Sequence, residues 1–246
     1  YVKGGTDFAT QTKVFEGAAY RNETVNNLDT MLFITSAGNT DGAKGKDDTY
    51  FDDVYIDVDG ENLTSPLPPP SPEDWSEIVE LDAGSTLPAG FTIYQEAGNF
   101  ATSPTTTVVT NPYGSGSALA IHPGVASTTD SLNQTIEFAI PSALQVTDPV
   151  TESKPVTFYF KMARPLVAGV PGEADITWGL ADSTTRSAVG SPLAYGAYSV
   201  LGRIEPNGII DIRDGGSYKD LAVAPLETET WYELWLVVDH FTNTFT

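Results

Sequence analysis

Cysteine is absent from the 246 residues, and histidine and methionine occur only twice each. Without thiols there is no disulfide framework, no thiolate nucleophile and no cysteine-based zinc site. The two histidines, His122 in AIHPG and His240 in VVDHFTN, have no second histidine at metal-ligand spacing. His122 reads as a strand end and His240 as a solvated turn residue. Basic residues are scarce too: 12 Lys and Arg stand against 33 Asp and Glu, a formal charge of -21. A surface of that sign repels phosphate backbones and anionic headgroups, which excludes nucleic acid as a partner. No run approaches the roughly 20 apolar residues of a membrane-spanning helix. No basic-then-apolar leader opens the chain, so a mature or internal stretch is expected. Nor does any segment hold a 3.6-residue apolar period over three turns, and helix is expected to be minor.

What the chain does contain is turns and alternation. Its 22 Gly and 17 Pro are spread among many Thr and Val, the profile of an all-β chain. TYFDDVYIDVDG sets Tyr50, Asp52, Val54, Ile56 and Val58 against Phe51, Asp53, Tyr55 and Asp57, the period-2 pattern of a half-buried strand. FTIYQEAG, ALAIHPG, QTIEFAIP, VTFYFKMA, ADITWGLAD, YGAYSVLGRIEP, GIIDIRDG and YELWLVVD read the same way between turn signals such as PNG, DGG and GVPGE. The expected fold is an antiparallel β-sandwich.

The stretch TSPLPPPSPEDW carries Pro at 66, 68, 69, 70 and 72. Proline at that density favours an extended, spacing segment. The chain therefore divides into residues 1–65, a linker over 66–74, and residues 75–246. The first piece offers about four strands, too few to close a sandwich. The second ends on WYELWLVVDHFTNTFT, a strand, a turn and the start of another strand. Read in the other order, that ending runs into YVKGGTDFATQTKVFEG, and Thr244-Phe245-Thr246-Tyr1-Val2 makes one strand.

In that order the series LGRIEPNGIIDIRDGGSYKDL, WYELWLVVDHFTNTFT, YVKGGTDFATQTKVFEGAAYR and TYFDDVYIDVDGENLTSP resembles successive parts of a concanavalin A-like (laminin G-like) jelly roll. Domains of this kind occur in large, repetitive bacterial surface and secreted proteins. The resemblance implies that YFDDVYIDVDG is the closing strand and WYELWLVVD a central one, so the order in this chain is rotated. Three arrangements produce rotation. The chain is one period of a tandem repeat cut within a domain, or a polymer subunit whose residues 1–65 complete a neighbour by strand addition, or a circular permutant closing on itself.

Candidate chemistry is sparse. Related jelly rolls include glycoside hydrolases, which present two carboxyls about 5 to 5.5 Å apart for retention. Glu173 with Asp175 and Glu80 with Asp82 are the nearest pairs, and each lacks a third acid. No G-x-S-x-G elbow occurs. The window from Asp41 to Asp59 also holds Asp47, Asp48, Asp52, Asp53 and Asp57, hard oxygen donors of the kind Ca²⁺ takes. The resemblance places a structural Ca²⁺ against the closing strand. Asp52 and Asp53 are its candidate ligands there, with Glu77 or Glu80 approaching from the strand after the linker. Asn22, Asn62 and Asn133 begin Asn-x-Ser/Thr triplets and are candidate glycan attachment points.

Trp231 and Trp235 share a strand face with Glu233 and read as core. Tyr94, Tyr113, Tyr195 and Tyr198 near turns are candidates for an exposed sugar platform. Together these features point to a non-enzymatic, extracellular or cell-surface structural repeat whose partners are further copies of itself. A carbohydrate-binding module is the alternative, and a hydrolase ranks third.

Overall fold

The computed structural model describes residues 1–22, 27–37, 48–67, 74–79, 81, 87, 90–95, 100–102, 105–122, 125–126, 132–147, 154–164, 166–167, 170–171, 176–186, 193, 195–205 and 207–246. Two antiparallel sheets pack face to face as a sandwich. Among the described residues helix is confined to three short 3₁₀ turns. No helix there is long and apolar enough to cross a membrane.

The first sheet runs Thr105–Thr110, Ser117–His122, Thr49–Asp57, Val156–Ala163, Trp231–Asp239, Val2–Gly4, Phe8–Thr12. Ser76–Val79 adds to Thr49–Asp57, and Thr244–Phe245 adds to Trp231–Asp239. The second sheet runs Ser217–Asp220, Ile210–Asp214, Tyr198–Ile204, Ile176–Ala181, Thr30–Ala37, Leu132–Ala139, Phe91–Gln95. Each sheet thus has an interior strand from residues 1–65. Thr30–Ala37 lies between Ile176–Ala181 and Leu132–Ala139, and Thr49–Asp57 between Ser117–His122 and Val156–Ala163. Strands from before the proline-rich stretch complete the sandwich, and within one chain they do so in cis.

Alternation supplies the core. Met31 and Phe33, Ile136 and Phe138, Ile176, Trp178 and Leu180 face inward from the second sheet against Phe51, Phe158, Phe160 and Met162 from the first. Phe33 stands at the centre, its ring 4.0 Å from that of Phe51, 5.6 Å from Phe160 and 6.1 Å from Phe138. One position needs glycine for closeness: a Cβ on Gly202 would lie 2.1 Å from the Trp178 ring.

One feature differs from the sequence expectation. Strict alternation fails in TYFDDVYID, because Phe51, Val54 and Ile56 all face the core. A β-bulge at Asp52–Asp53 absorbs the extra residue: Lys161 pairs with Asp52 and Tyr159 with Tyr55, while Asp53 takes φ 53°. Asp is among the few side chains that adopt this left-handed conformation readily.

The segment expected as a stiff spacer over 66–74 lies outside the described residues from 68 to 73. Its described flanks lie on the outer face of the first sheet. Leu63 and Leu67 pack on a small second core of Tyr55, Trp75, Tyr159 and Trp235. Trp235 Nε1 donates to Thr64 O at 2.9 Å, Trp75 Nε1 to Thr64 Oγ1 at 3.2 Å, and Gln11 Nε2 to Leu63 O at 3.0 Å. Trp235 is therefore buried, as expected, but on the outward face; Trp231, on the same face, is half-buried and donates to Asn111 Oδ1 at 3.0 Å.

Because Phe33 joins the two pieces, Phe33→Ala is expected to cost about 3–5 kcal/mol in urea unfolding. A loss below about 1 kcal/mol would show that residues 1–65 do not carry the centre of the core.

Candidate functional site

The strand Trp231–Asp239 organises the site. Its alternation turns Tyr232, Leu234, Leu236 and Val238 inward and Trp231, Glu233, Trp235 and Val237 outward. At its end Asp239 Oδ1 accepts the N–H groups of Phe241 (3.0 Å) and Thr242 (3.2 Å), a side-chain-closed turn. Asn243 takes φ 53°, and the chain returns as Thr244–Phe245, opposite Asp239 and Val238. Val237 and Thr246 exchange backbone bonds of 2.9 and 2.8 Å.

Further along the same edge, Tyr1 and Trp235 exchange bonds of 2.8 and 3.0 Å, and Val2 pairs with Leu234. The two ends therefore lie in line on one strand. They do not quite meet, because the position opposite Leu236 is left between them.

A row of alternating charge crosses the outer face beside this junction. Asp53 Oδ2 meets Lys161 Nζ at 2.8 Å, Lys161 pairs across strands with Glu233, and Glu233 Oε1 meets Lys3 Nζ at 2.9 Å. Ser65 Oγ and Tyr159 OH donate to Glu233 Oε2 at 3.0 and 3.2 Å. Burial, then the Glu233 charge, raises the Tyr159 phenol. Asp52, 9% exposed, is pushed up to about 7, first by burial and then by Asp53. The Asp53 N–H, Lys161 and the Leu81 N–H oppose that rise.

These contacts place the expected calcium ligands. Asp52 Oδ1 accepts the Asp53 N–H at 2.9 Å, and Asp53 has Lys161 as its cation. Glu77 is exposed on the strand beside, opposite Tyr55. Asp52, Asp53 and Glu77 are not brought together as converging oxygens. Among the described residues that arrangement is met by Glu205, Asp211 and Asp220, within 4.8 Å of one another. Arg203 already serves that set. Its Nε donates to both oxygens of fully buried Asp211 at 3.0 and 3.1 Å, its Nη2 meets Glu205 at 3.0 Å, and its guanidinium lies 4.2 Å from the Tyr218 ring centroid.

Asp48 pairs with His122 Nδ1 at 3.2 Å, and Asp57 accepts from Asp59 N and Asn62 Nδ2. Asp41, Asp47, Glu80, Asp82, Glu173 and Asp175 lie outside the described residues. The amide nitrogen of Asn62, where a glycan would attach, is held by Asp57 at 2.7 Å, and its Oδ1 accepts from Thr64. Asn22 is half-buried and follows the bend at Arg21, after Ala18–Ala19. Asn133 pairs with Ser36 through its backbone, and its side chain lies outside the described residues.

His240 is 5% exposed and stacks on Tyr20 with centroids 5.8 Å apart. That corrects the solvated-turn reading, since the turn folds inward over Tyr20. Of the four tyrosines expected as a platform, Tyr198 is buried, Tyr94 and Tyr113 are half-buried, and Tyr195 is 41% exposed. Sequence reasoning missed Glu137. Almost fully buried on the outer side of the second sheet, it accepts from Arg186 Nη2 at 2.5 Å and the Leu193 N–H at 2.8 Å. Its position in the alternating strand QTIEFAIP was the only signal, and the partners lie 49 and 56 residues away.

No protein-family model, curated protein or solved structure matches the chain.

The raised Asp52 carboxyl has a pH consequence. Between its ordinary value of 3.8 and about 7 the folded chain holds a proton that the unfolded chain has lost. Its stabilising contribution is complete below pH 3.8 and is lost as pH rises through about 7. Asp52→Asn is expected to remove that loss. The difference in melting temperature, variant minus parent, then increases from pH 4 to pH 8, and a flat difference refutes the assignment.

Proposed function

We propose that the chain is a non-enzymatic structural module of an extracellular or cell-surface assembly, a concanavalin A-like jelly roll whose pieces 1–65 and 75–246 pair between neighbouring copies as they pair within one. The observation that carries this reading is that residues 1–65 lend each sheet an interior strand, Thr30–Ala37 in the second and Thr49–Asp57 in the first, so that the larger piece is closed only by the smaller one. Each contact that closes the sandwich in cis is equally available in trans, the condition for exchange of identical elements between subunits. The partner is a further copy of the chain, and strand pairing supplies the affinity while sandwich burial supplies the register. The charge of -21 keeps finished assemblies apart in solution.

A second reading, a carbohydrate-binding module, draws on the outer side of the second sheet. There Arg21 lies 4.8 Å from the exposed Tyr195 ring, and Arg186 lies 5.3 Å from that of Tyr94. Aromatic faces beside fixed hydrogen-bonding groups suit sugar rings. Binding on a glycan array that is lost in Tyr195→Ala supports this reading, and an array with no signal removes it.

The assembly reading is tested by multi-angle light scattering across a concentration series. Species that are multiples of 26.3 kDa and grow with concentration are expected. A chain of 26.3 kDa at every concentration overturns it.

A further inference from the structure

With 12 basic side chains against 33 acids, an arginine that meets no carboxylate stands out, and two of them converge on one end of the second sheet. Residues 18–21 cross the ends of two of its strands: Gly215 N–H donates to Ala19 O at 2.9 Å and Arg21 N–H to Ser199 O at 2.8 Å. Arg213 lies two residues before Gly215 and, since Ile212 faces the core, points to the outer side. Its Nη2 donates to Gly216 O at 2.6 Å, which brings the guanidinium to the end that Arg21 crosses. Each arginine lies over a tyrosine, Arg213 4.9 Å from the Tyr218 ring centroid and Arg21 4.8 Å from that of Tyr195.

Arg186 has Glu137, and Arg203 has Asp211 and Glu205. Among the described residues Arg21 and Arg213 have no such acid and donate to carbonyls, Arg21 Nη1 to Tyr195 O at 2.5 Å. Asp214, next to Arg213 in sequence, is engaged elsewhere: it accepts the Ala19 N–H at 2.8 Å and pairs with Lys219. Burial first, and then the Arg213 charge, lowers the Arg21 guanidinium below its ordinary value, with Tyr195 opposing. Two like charges side by side repel, and an anion set between them replaces that repulsion with attraction. The planar fork of a guanidinium matches a carboxylate.

The class of anion follows from what adjoins the pair. Tyr195, 41% exposed, offers aromatic surface beside Arg21, and an aromatic face next to fixed donors suits a sugar ring. A long polyanion would meet the -21 charge of the whole chain. A single carboxylate meets mainly the groups within a Debye length, about 8 Å at physiological salt. We propose that Arg21 and Arg213 bind the carboxylate of a uronic acid residue whose ring lies against Tyr195. The sugar part rests on the carbohydrate-binding reading; the charged part rests on the two arginines.

The test is titration of the full chain with sodium D-glucuronate, D-glucose and sodium acetate, followed by amide shifts in nuclear magnetic resonance. D-glucuronate is expected to bind roughly tenfold more tightly than D-glucose or acetate, and to lose roughly tenfold in Arg213→Met, whose aliphatic stem still covers Tyr218. A second arm needs no variant: raising sodium chloride from about 0.05 M to about 0.5 M weakens D-glucuronate and leaves D-glucose unchanged. D-glucose equal to D-glucuronate overturns the proposal while the carbohydrate-binding reading stands, and binding of neither sugar removes both. Acetate equal to D-glucuronate also overturns it, because the ring then contributes nothing. D-glucuronate binding indifferent to Arg213→Met and to salt excludes the arginine pair. A parent chain that ignores D-glucuronate, but whose assembled mass falls in Arg213→Met, assigns the pair to an acid of a second copy and sinks the sugar ligand.

Discussion

A β-sandwich hides its apolar faces only by setting one sheet on the other, and here both sheets have an interior strand from the same 28 residues, 30–57. That constraint governs everything else. Without Thr30–Ala37 the second sheet separates between Ile176–Ala181 and Leu132–Ala139. Without Thr49–Asp57 the first loses the link between Ser117–His122 and Val156–Ala163. Phe33 and Phe51, one from each of these strands, meet at the middle of the core. Folding thus depends on bringing residues from opposite sides of a proline-rich stretch together, and the entropy of that closure must be overcome before the core rewards it.

Few bases serve many acids, and where acids are buried the bases are placed with economy. Asp53 has Lys161, Asp211 has Arg203, and Glu137 has Arg186. Each pair crosses between neighbouring strands or joins a loop to the sheet, so a slip of register would leave a carboxylate buried alone, a state costing several kcal/mol. The pairs thereby bear on which alignment forms as well as on how firmly it holds. Asp52 is the acid left with the poorest share. It sits inside a bulge beside a second acid, and its protonation balance reflects that.

The antiparallel sandwich was legible because period-2 alternation is local: Tyr232, Leu234, Leu236 and Val238 declare their face without help from distant residues. That the first and last described residues lie beside Trp231–Asp239 was legible for the same reason, since each carries its own alternation. What escaped was set by contacts far apart in sequence. Two adjacent aspartates do not announce which of them will turn left-handed, and only pairing with Tyr159 and Lys161 fixes the bulge. His240 lies in a turn by sequence, but Tyr20 from the opposite end of the chain makes the turn an interior one.

The docked segment around Leu63 and Trp75 acquires a particular weight from the sandwich it overlies. When identical elements change partners, the interior gained equals the interior given up, and the balance between a self-closed chain and a linked one falls to the hinge. Here the residues before and after the proline-rich stretch are fixed through two indoles to one threonine, Thr64. If copies exchange their pieces as proposed, a few hydrogen bonds and a small patch of aromatic surface, rather than the hundred or more residues around them, set that balance.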